Sequence, residues 1–306
     1  VSAQVSRRAV LAALLLLALP SAAGPLGPTS AVPSAASAGL PVTPSGPVTP
    51  SPGRSHPGMI MSSSEGLPPE ARGIWPGARV SRGVRAVVAG HPGADRELLG
   101  DLARRADLAG ERVAAVLGQP VRPVVLVPGS AGEAARLAGV AGVDGLAAVA
   151  DAGRVIVVPE NFARLTPTGR DVVLAHELTH VAAGTEGLPA WLYEGFADYV
   201  GYRDAGLAVP VAAAELAAEV RAGRPPRELP GPAAFAPTDD TERLARSYQE
   251  AWLACRFLAE RSGEGTLVRL YRDAQRAGVD RALASAGLSV GTLTAQWRAY
   301  VRRQLA

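Results

Sequence analysis

The sequence predicts an α+β fold: a small mixed β-sheet packed on one central helix, followed by a mainly helical carboxy-terminal lobe. Three observations carry this. Short apolar runs of strand character fall before residue 159, and helix-period stretches dominate after residue 202. Between them lies a metal-ligand pattern, His176-Glu177-Leu178-Thr179-His180. Strand-forming and helix-forming segments that are segregated along a chain point to α+β rather than to an alternating α/β fold.

Two amino-terminal segments are expected to lie outside that fold. Residues 1–23 have the layout of a signal peptide: Arg7 and Arg8, the apolar run Ala9 to Leu19, then Pro20-Ser21-Ala22-Ala23 before Gly24. Ser6 to Leu11 also resembles a twin-arginine export signal. The apolar run is shorter than the about 20 residues of a membrane span. Cleavage and no stable membrane insertion are therefore expected, with an uncleaved amino-terminal anchor as the alternative. No Cys follows the run, which speaks against a lipoprotein anchor. Residues 24–68 are rich in Pro, Ser, Gly, Ala and Thr and contain His56, Met59 and Met61. Such a stretch buries too little apolar surface to offset its ordering entropy, so a disordered linker or cell-wall stalk is predicted. The expected location is secreted or extracytoplasmic.

Residues 69–306 are the predicted domain, with sheet and motif helix in 69–185 and the helical lobe in 186–306. Val84 to Ala89 reads as a strand, Gly93 to Leu117 as a long helix, Val121 to Val127 as a strand and Ala131 to Leu137 as a short helix. Gly145 to Ala150 and Arg154 to Val158 form a predicted hairpin about Asp151-Ala152-Gly153. Thr166-Pro167 starts the motif helix, Thr168 and Asp171 offer capping and first-turn acidity, and Leu174, Leu178 and Val181 form its apolar side. Gly184 ends it with a left-handed cap. Beyond Tyr202, helices are predicted over 211–222, 240–262, 264–276, 279–286 and 290–304. A loop punctuated by Pro225-Pro226 and Pro230-Gly231-Pro232 is placed to rim a cleft.

Composition narrows the function classes. A hydrophobic fraction of 48% is ample for a core. All 31 basic residues are arginines, they alternate with acids, and the net charge is only +3. No basic stripe with interleaved aromatics exists, so nucleic acid is not an expected partner. The single cysteine, Cys255, excludes an internal disulfide and reads as a small buried hydrophobe. Nothing signals oligomerisation, and a monomer is expected. His91, before Pro92-Gly93, reads as a surface turn residue with no site.

The pattern at 176–180 carries chemistry. Residues four apart on a helix share a face, so His176 and His180 can aim imidazole nitrogens at one cation, with Glu177 beside them to take a proton from water. The chain has only four histidines, which makes coincidence a poor explanation of the spacing. A catalytic zinc takes three protein ligands and leaves the fourth position open. A His six residues after His180 would suit one class of site, but Glu186 stands there, with Ala183 where that class needs Gly and with no Met downstream. Glu194 is the better third ligand. Leu188-Pro189 can start a second helix whose apolar face is Trp191, Leu192 and Phe196. Glu194 and Asp198 share another face at i, i+4, so Asp198 can accept the free N–H of a ligating His.

His176-Glu177-Leu178-Thr179-His180 followed by Pro189-Ala190-Trp191-Leu192-Tyr193-Glu194-Gly195-Phe196-Ala197-Asp198-Tyr199 resembles the gluzincin branch of the zinc metallopeptidases, the peptidase MA-like group. The match is specific over about residues 172–202. It implies a zincin-like fold, Zn2+ held by His176, His180 and Glu194, Glu177 as general base, Asp198 orienting a ligand His, and a peptide or protein substrate. Thermolysin-like members carry a further His after the third ligand, and this chain has none after His180. The aminopeptidase signature G-x-M-E-N is also absent, which makes endopeptidase the default.

Tyr248 is the sequence candidate for the vacant oxyanion-stabilising role, with Arg243 and Arg246 as alternatives. Yet Leu244, Tyr248, Trp252, Cys255 and Ala259 form an apolar stripe at helical spacing over Glu242 to Arg261, which is the pattern of core packing. In zincins an extended substrate pairs with a sheet edge before the motif helix. Gly145 to Val149 is the predicted substrate-facing strand, with Gly145, Leu146 and Ala147 as binding residues. Two other readings compete with a secreted peptidase. One is a catalytically idle zinc domain that binds peptides or cell-wall partners; the other is a metal-free scaffold.

Overall fold

The computed structural model describes residues 67–236 and 238–306. The predicted signal peptide and nearly all of the predicted linker, with His56, Met59 and Met61, lie outside the described residues. Five short strands form one mixed sheet: β1 (Arg79–Arg82), β2 (Val87–Gly90), β3 (Val124–Val127), β4 (Ala148–Asp151) and β5 (Arg154–Val157). Their order is β1-β2-β3-β5-β4, parallel across β2-β3 and β3-β5 and antiparallel at both edges. The helices are α1 (Arg96–Leu117), α2 (Ala131–Ala138), α3 (Pro159–Phe162), α4 (Pro167–Ala183), α5 (Ala190–Tyr202), α6 (Val209–Ala212), α7 (Ala214–Arg221), α8 (Thr241–Ser262), α9 (Glu264–Ala277), α10 (Val279–Ser285) and α11 (Val290–Leu305). This is the predicted α+β architecture, sheet first and helices after. No described helix is long and apolar enough to cross a membrane.

The long helices begin and end where the sequence placed them, to within a few residues. Asp95 caps α1 by accepting from the Glu97 amide, so Pro92 and Gly93 stay outside it. Thr166 rather than Thr168 caps α4, accepting from Gly169 N at 3.1 Å. Asp171 instead pairs with Arg105 at 2.6 Å and ties α4 to α1. Gly184 closes α4 at φ 71° but ψ 170°, so the chain leaves extended instead of turning through the left-handed helical region. The predicted helix over 211–222 is two pieces, α6 and α7, broken at Ala213.

The strands depart further from expectation. β1 was not anticipated: with two arginines in four residues and alternate exposure it is a half-wet edge strand with little apolar signal. Its turn into β2 is held from a distance, because the Asp107 carboxylate accepts from the amides of Val84, Arg85 and Ala86. β3 starts at Val124, not Val121, since Pro123 cannot donate to a ladder. β4 starts at Ala148, so Gly145, Leu146 and Ala147 precede the strand. Gly145 takes a positive φ of 75° in a turn, while Leu146 and Ala147 are buried in the core. The β4–β5 turn is of the type I′ kind, with positive φ at Ala152 and Gly153. His91 is half-buried instead of a free surface residue: its ring packs edge-on against Trp75 and Nδ1 accepts from Gly93 N.

α4 is the centre of the molecule. Every residue from 172 to 180 is buried, because β4 and β5, α1 and α5 all pack against it. A helix buried all round needs apolar residues on every side, and here the polar exceptions are the motif residues. α5 in turn packs closely on α8. A Cβ on Gly195 would stand 2.1 Å from the Ala251 carbonyl oxygen and 3.1 Å from Cys255 Sγ. Only glycine fits there. Gly195→Ala is expected to lower stability in chemical denaturation by roughly 1–3 kcal/mol, the ordinary cost of overpacking, although alanine is the better helix former. An unchanged denaturation midpoint would mean that α5 and α8 separate freely.

Candidate metal centre

Two adjacent helices supply all the groups. His176, Glu177 and His180 come from successive turns of α4, and Glu194 and Asp198 from successive turns of α5. Close approach of the two helices brings the five side chains together: a Cβ on Gly201 would meet the Val172 carbonyl oxygen of α4 at 3.1 Å. All five are buried, none more than 5% exposed.

Three ligand atoms converge. His180 Nε2 lies 2.9 Å from His176 Nε2, and Glu194 Oε2 lies 3.2 Å from His176 Nε2 and 3.4 Å from His180 Nε2. Ligand atoms bonded to one tetrahedral zinc stand about 3.3 Å apart. Glu194 Oε2 is buried and makes no well-formed hydrogen bond despite its two close neighbours. Three acceptor atoms turned to a common point, one of them orphaned, fit a cation between them. His176, His180 and Glu194 are therefore a cluster able to hold a metal ion.

The surrounding groups fix how the ligands present themselves. Asp198 Oδ1 lies 2.7 Å from His176 Nδ1, placed to accept a hydrogen bond from its N–H, and the neutral tautomer so favoured presents the Nε2 lone pair to the convergence point. Of the two histidines, His176 is the one that Asp198 contacts. His180 Nδ1 is buried with no hydrogen-bond partner among the described residues. Glu177 is fully buried and neither carboxylate oxygen makes a well-formed hydrogen bond, although the Ala150 amide faces it.

Electrostatics in the cluster follow from burial and from pairing. Burial pushes the Glu177 carboxyl well above the usual carboxylate range, opposed by His176. Burial also raises Asp198. Burial works against a charged His176, but the Asp198 carboxylate outweighs it and holds the imidazole well above its ordinary value. Burial lowers His180. Burial alone would raise Glu194, yet the two imidazoles hold it below the ordinary range. Three buried carboxylates share this space, and none of them is paired with an arginine among the described residues. A divalent cation would neutralise the excess negative charge.

A cleft of about 900 Å³ opens onto the cluster. Its walls are the β4–β5 turn from Ala150 to Gly153, the α4–α5 loop from Gly184 to Pro189, and Pro232, Phe235 and Ala236 from the loop before α8. That loop rims the cleft, as its prolines indicated. His180 and Glu194 reach the cleft wall, while His176 and Glu177 lie behind it. Comparison with protein-family profiles and with curated proteins returns no match to this chain.

The remaining sequence candidates fall in different places. Tyr248 is buried, as its stripe required, but its ring also stands edge-on to His176 at 6.3 Å between centroids and against Phe235 at 5.2 Å. It packs behind a ligand and does not line the cleft. Gly145, Leu146 and Ala147 do not line it either; the hairpin residues that do are 150–153. Sequence reasoning missed Tyr193 and Gln275. Tyr193 lines the cleft with its ring edge-on to His180, 6.0 Å between centroids. Its position next to Glu194 was the available signal. Gln275 enters from α9, far along the chain, and donates to the Ala183 carbonyl.

Proposed function

We propose that this chain is a zinc-dependent metallopeptidase of the gluzincin type, acting outside the cytoplasm on peptide or protein substrates. One observation carries the reading. Two imidazole nitrogens and a carboxylate oxygen converge within 2.9–3.4 Å of one another beside a buried, unpartnered Glu177 and at the edge of an open cleft. Two histidines and one carboxylate with an open fourth position form a ligand set suited to catalytic zinc. Zinc bound there would supply Lewis-acid polarisation and lower the pKa of water to about 7.

The chain's own residues do the rest. Asp198 keeps His176 in the tautomer that presents Nε2. The cleft admits an extended peptide, whose scissile carbonyl is held near His180 and Glu194. Glu177 takes the proton of the attacking water and passes it to the departing amine. Its burial raises its proton affinity, which suits it to hold a proton between the two transfers.

A second reading has an observation of its own. Glu177 stands behind the cleft wall, and no histidine follows His180 to assist the oxyanion. Those features favour a zinc domain that binds peptides without cleaving them. Hydrolysis separates the two readings. Zinc-reconstituted protein is expected to cleave an unbiased library of quenched fluorescent peptides, to lose that activity on chelation and to regain it with zinc. Metal-bound protein that binds peptides and cleaves none supports the idle domain.

A further inference from the structure

The geometry points to the Tyr193 phenol as the group that donates a hydrogen bond to the reacting carbonyl oxygen of the substrate, in place of Tyr248. The inference rests on the peptidase reading and names a residue for the step which that reading leaves unassigned. A developing oxyanion needs a donor aimed at it from the cleft wall. Tyr193 lines that wall together with His180 and Glu194. It neighbours Glu194 on α5, and its ring stands edge-on to His180 at 6.0 Å between centroids.

Its hydroxyl is uncommitted. No described residue hydrogen-bonds it, whereas Tyr199 donates to Glu264 and Tyr271 donates to the Gly184 carbonyl. The Tyr193 ring is only half-buried, so its hydroxyl is within reach of a molecule in the cleft. Gln275 is engaged with Ala183, and no arginine side chain lines the cleft among the described residues. Tyr248 is buried against His176 and Phe235 and does not itself line the cleft.

The test uses the zinc-loaded full chain and a phosphinic peptide, whose tetrahedral phosphorus oxygen mimics the oxyanion. Calorimetry gives its affinity for wild type, Tyr193→Phe and Tyr248→Phe, with zinc content measured on each. Phe keeps the ring, so a role confined to packing would leave the affinity unmoved. The expected result is affinity weakened by roughly 10²-fold in Tyr193→Phe, the usual cost of losing one oxyanion donor, with zinc content unchanged. In turnover, kcat should fall by a similar factor with KM nearly constant. Undiminished affinity in Tyr193→Phe overturns the assignment, as does loss confined to Tyr248→Phe. Loss of zinc in Tyr193→Phe also overturns it, because the hydroxyl would then serve the ligands. A wild-type chain that binds neither zinc nor the phosphinic peptide overturns the peptidase reading and the tyrosine's role together.

Discussion

Glu177→Gln is expected to retain zinc and lose turnover, with kcat reduced by roughly 10²–10⁴-fold, the range that a positioned general base contributes. The amide has nearly the same size and shape, so the packing of α4 against β4 and α5 survives. What disappears is the ability to accept a proton. The same substitution should stabilise the metal-free chain. Glu177 is fully buried and its carboxylate oxygens have no well-formed hydrogen bond, so the ionised form is costly. Burial holds its pKa well above the ordinary value. The folded chain therefore keeps this proton at pH values where the unfolded chain has released it. Stability falls as pH rises across that interval, and the neutral variant escapes the fall. Denaturant midpoints of the metal-free proteins across pH 4–8 should separate progressively, the variant being the more stable at the upper end. Gain of stability with loss of activity is the behaviour of a site that holds a strained charge for function. Full activity in the variant would remove Glu177 from the mechanism.

Loss of a ligand should have the second large effect. Among the described residues, Glu194 Oε2 is the only carboxylate atom at the convergence point, and Glu194→Ala leaves two histidines that cannot alone complete a zinc site. Zinc should then give no thermal stabilisation. Wild type should gain about 2.7 kcal/mol when free zinc is 100-fold above its dissociation constant. Asp198→Ala should fall between the two. Its carboxylate touches no convergence atom but fixes the His176 tautomer, and losing such a partner weakens metal binding by roughly 10–100-fold. Equal zinc stabilisation in wild type and Glu194→Ala would place the ion elsewhere.

Much of the site could be read in the chain because its spacing is helical. His176 and His180 at i, i+4, and Glu194 and Asp198 at i, i+4, place four groups on two faces whatever the rest of the fold does. The structure adds that the faces meet, and it does so through Gly201, which lets α5 approach α4 and has no pattern of its own. The helices of the carboxy-terminal half were legible for the same reason of period, with caps at Asp240 and Ser289. The strands were less so. β1 is four half-exposed residues whose pairing depends on Asp107, twenty-two positions from Arg85. β4 begins three residues late because Gly145 turns the chain. Alternation in a four-residue strand is too short to fix its start. The cleft wall was the least legible. Tyr193, Phe235 and Gln275 come from three separate helical elements, and only tertiary packing makes them neighbours of His180.

The most direct test of a metal centre is the zinc content of the purified full chain, determined by elemental mass spectrometry beside Glu194→Ala. One zinc per wild-type chain, lost or strongly reduced in the variant, is the predicted result. A wild-type chain that carries no zinc after metal-replete purification would contradict the account and leave the two motif helices as scaffold.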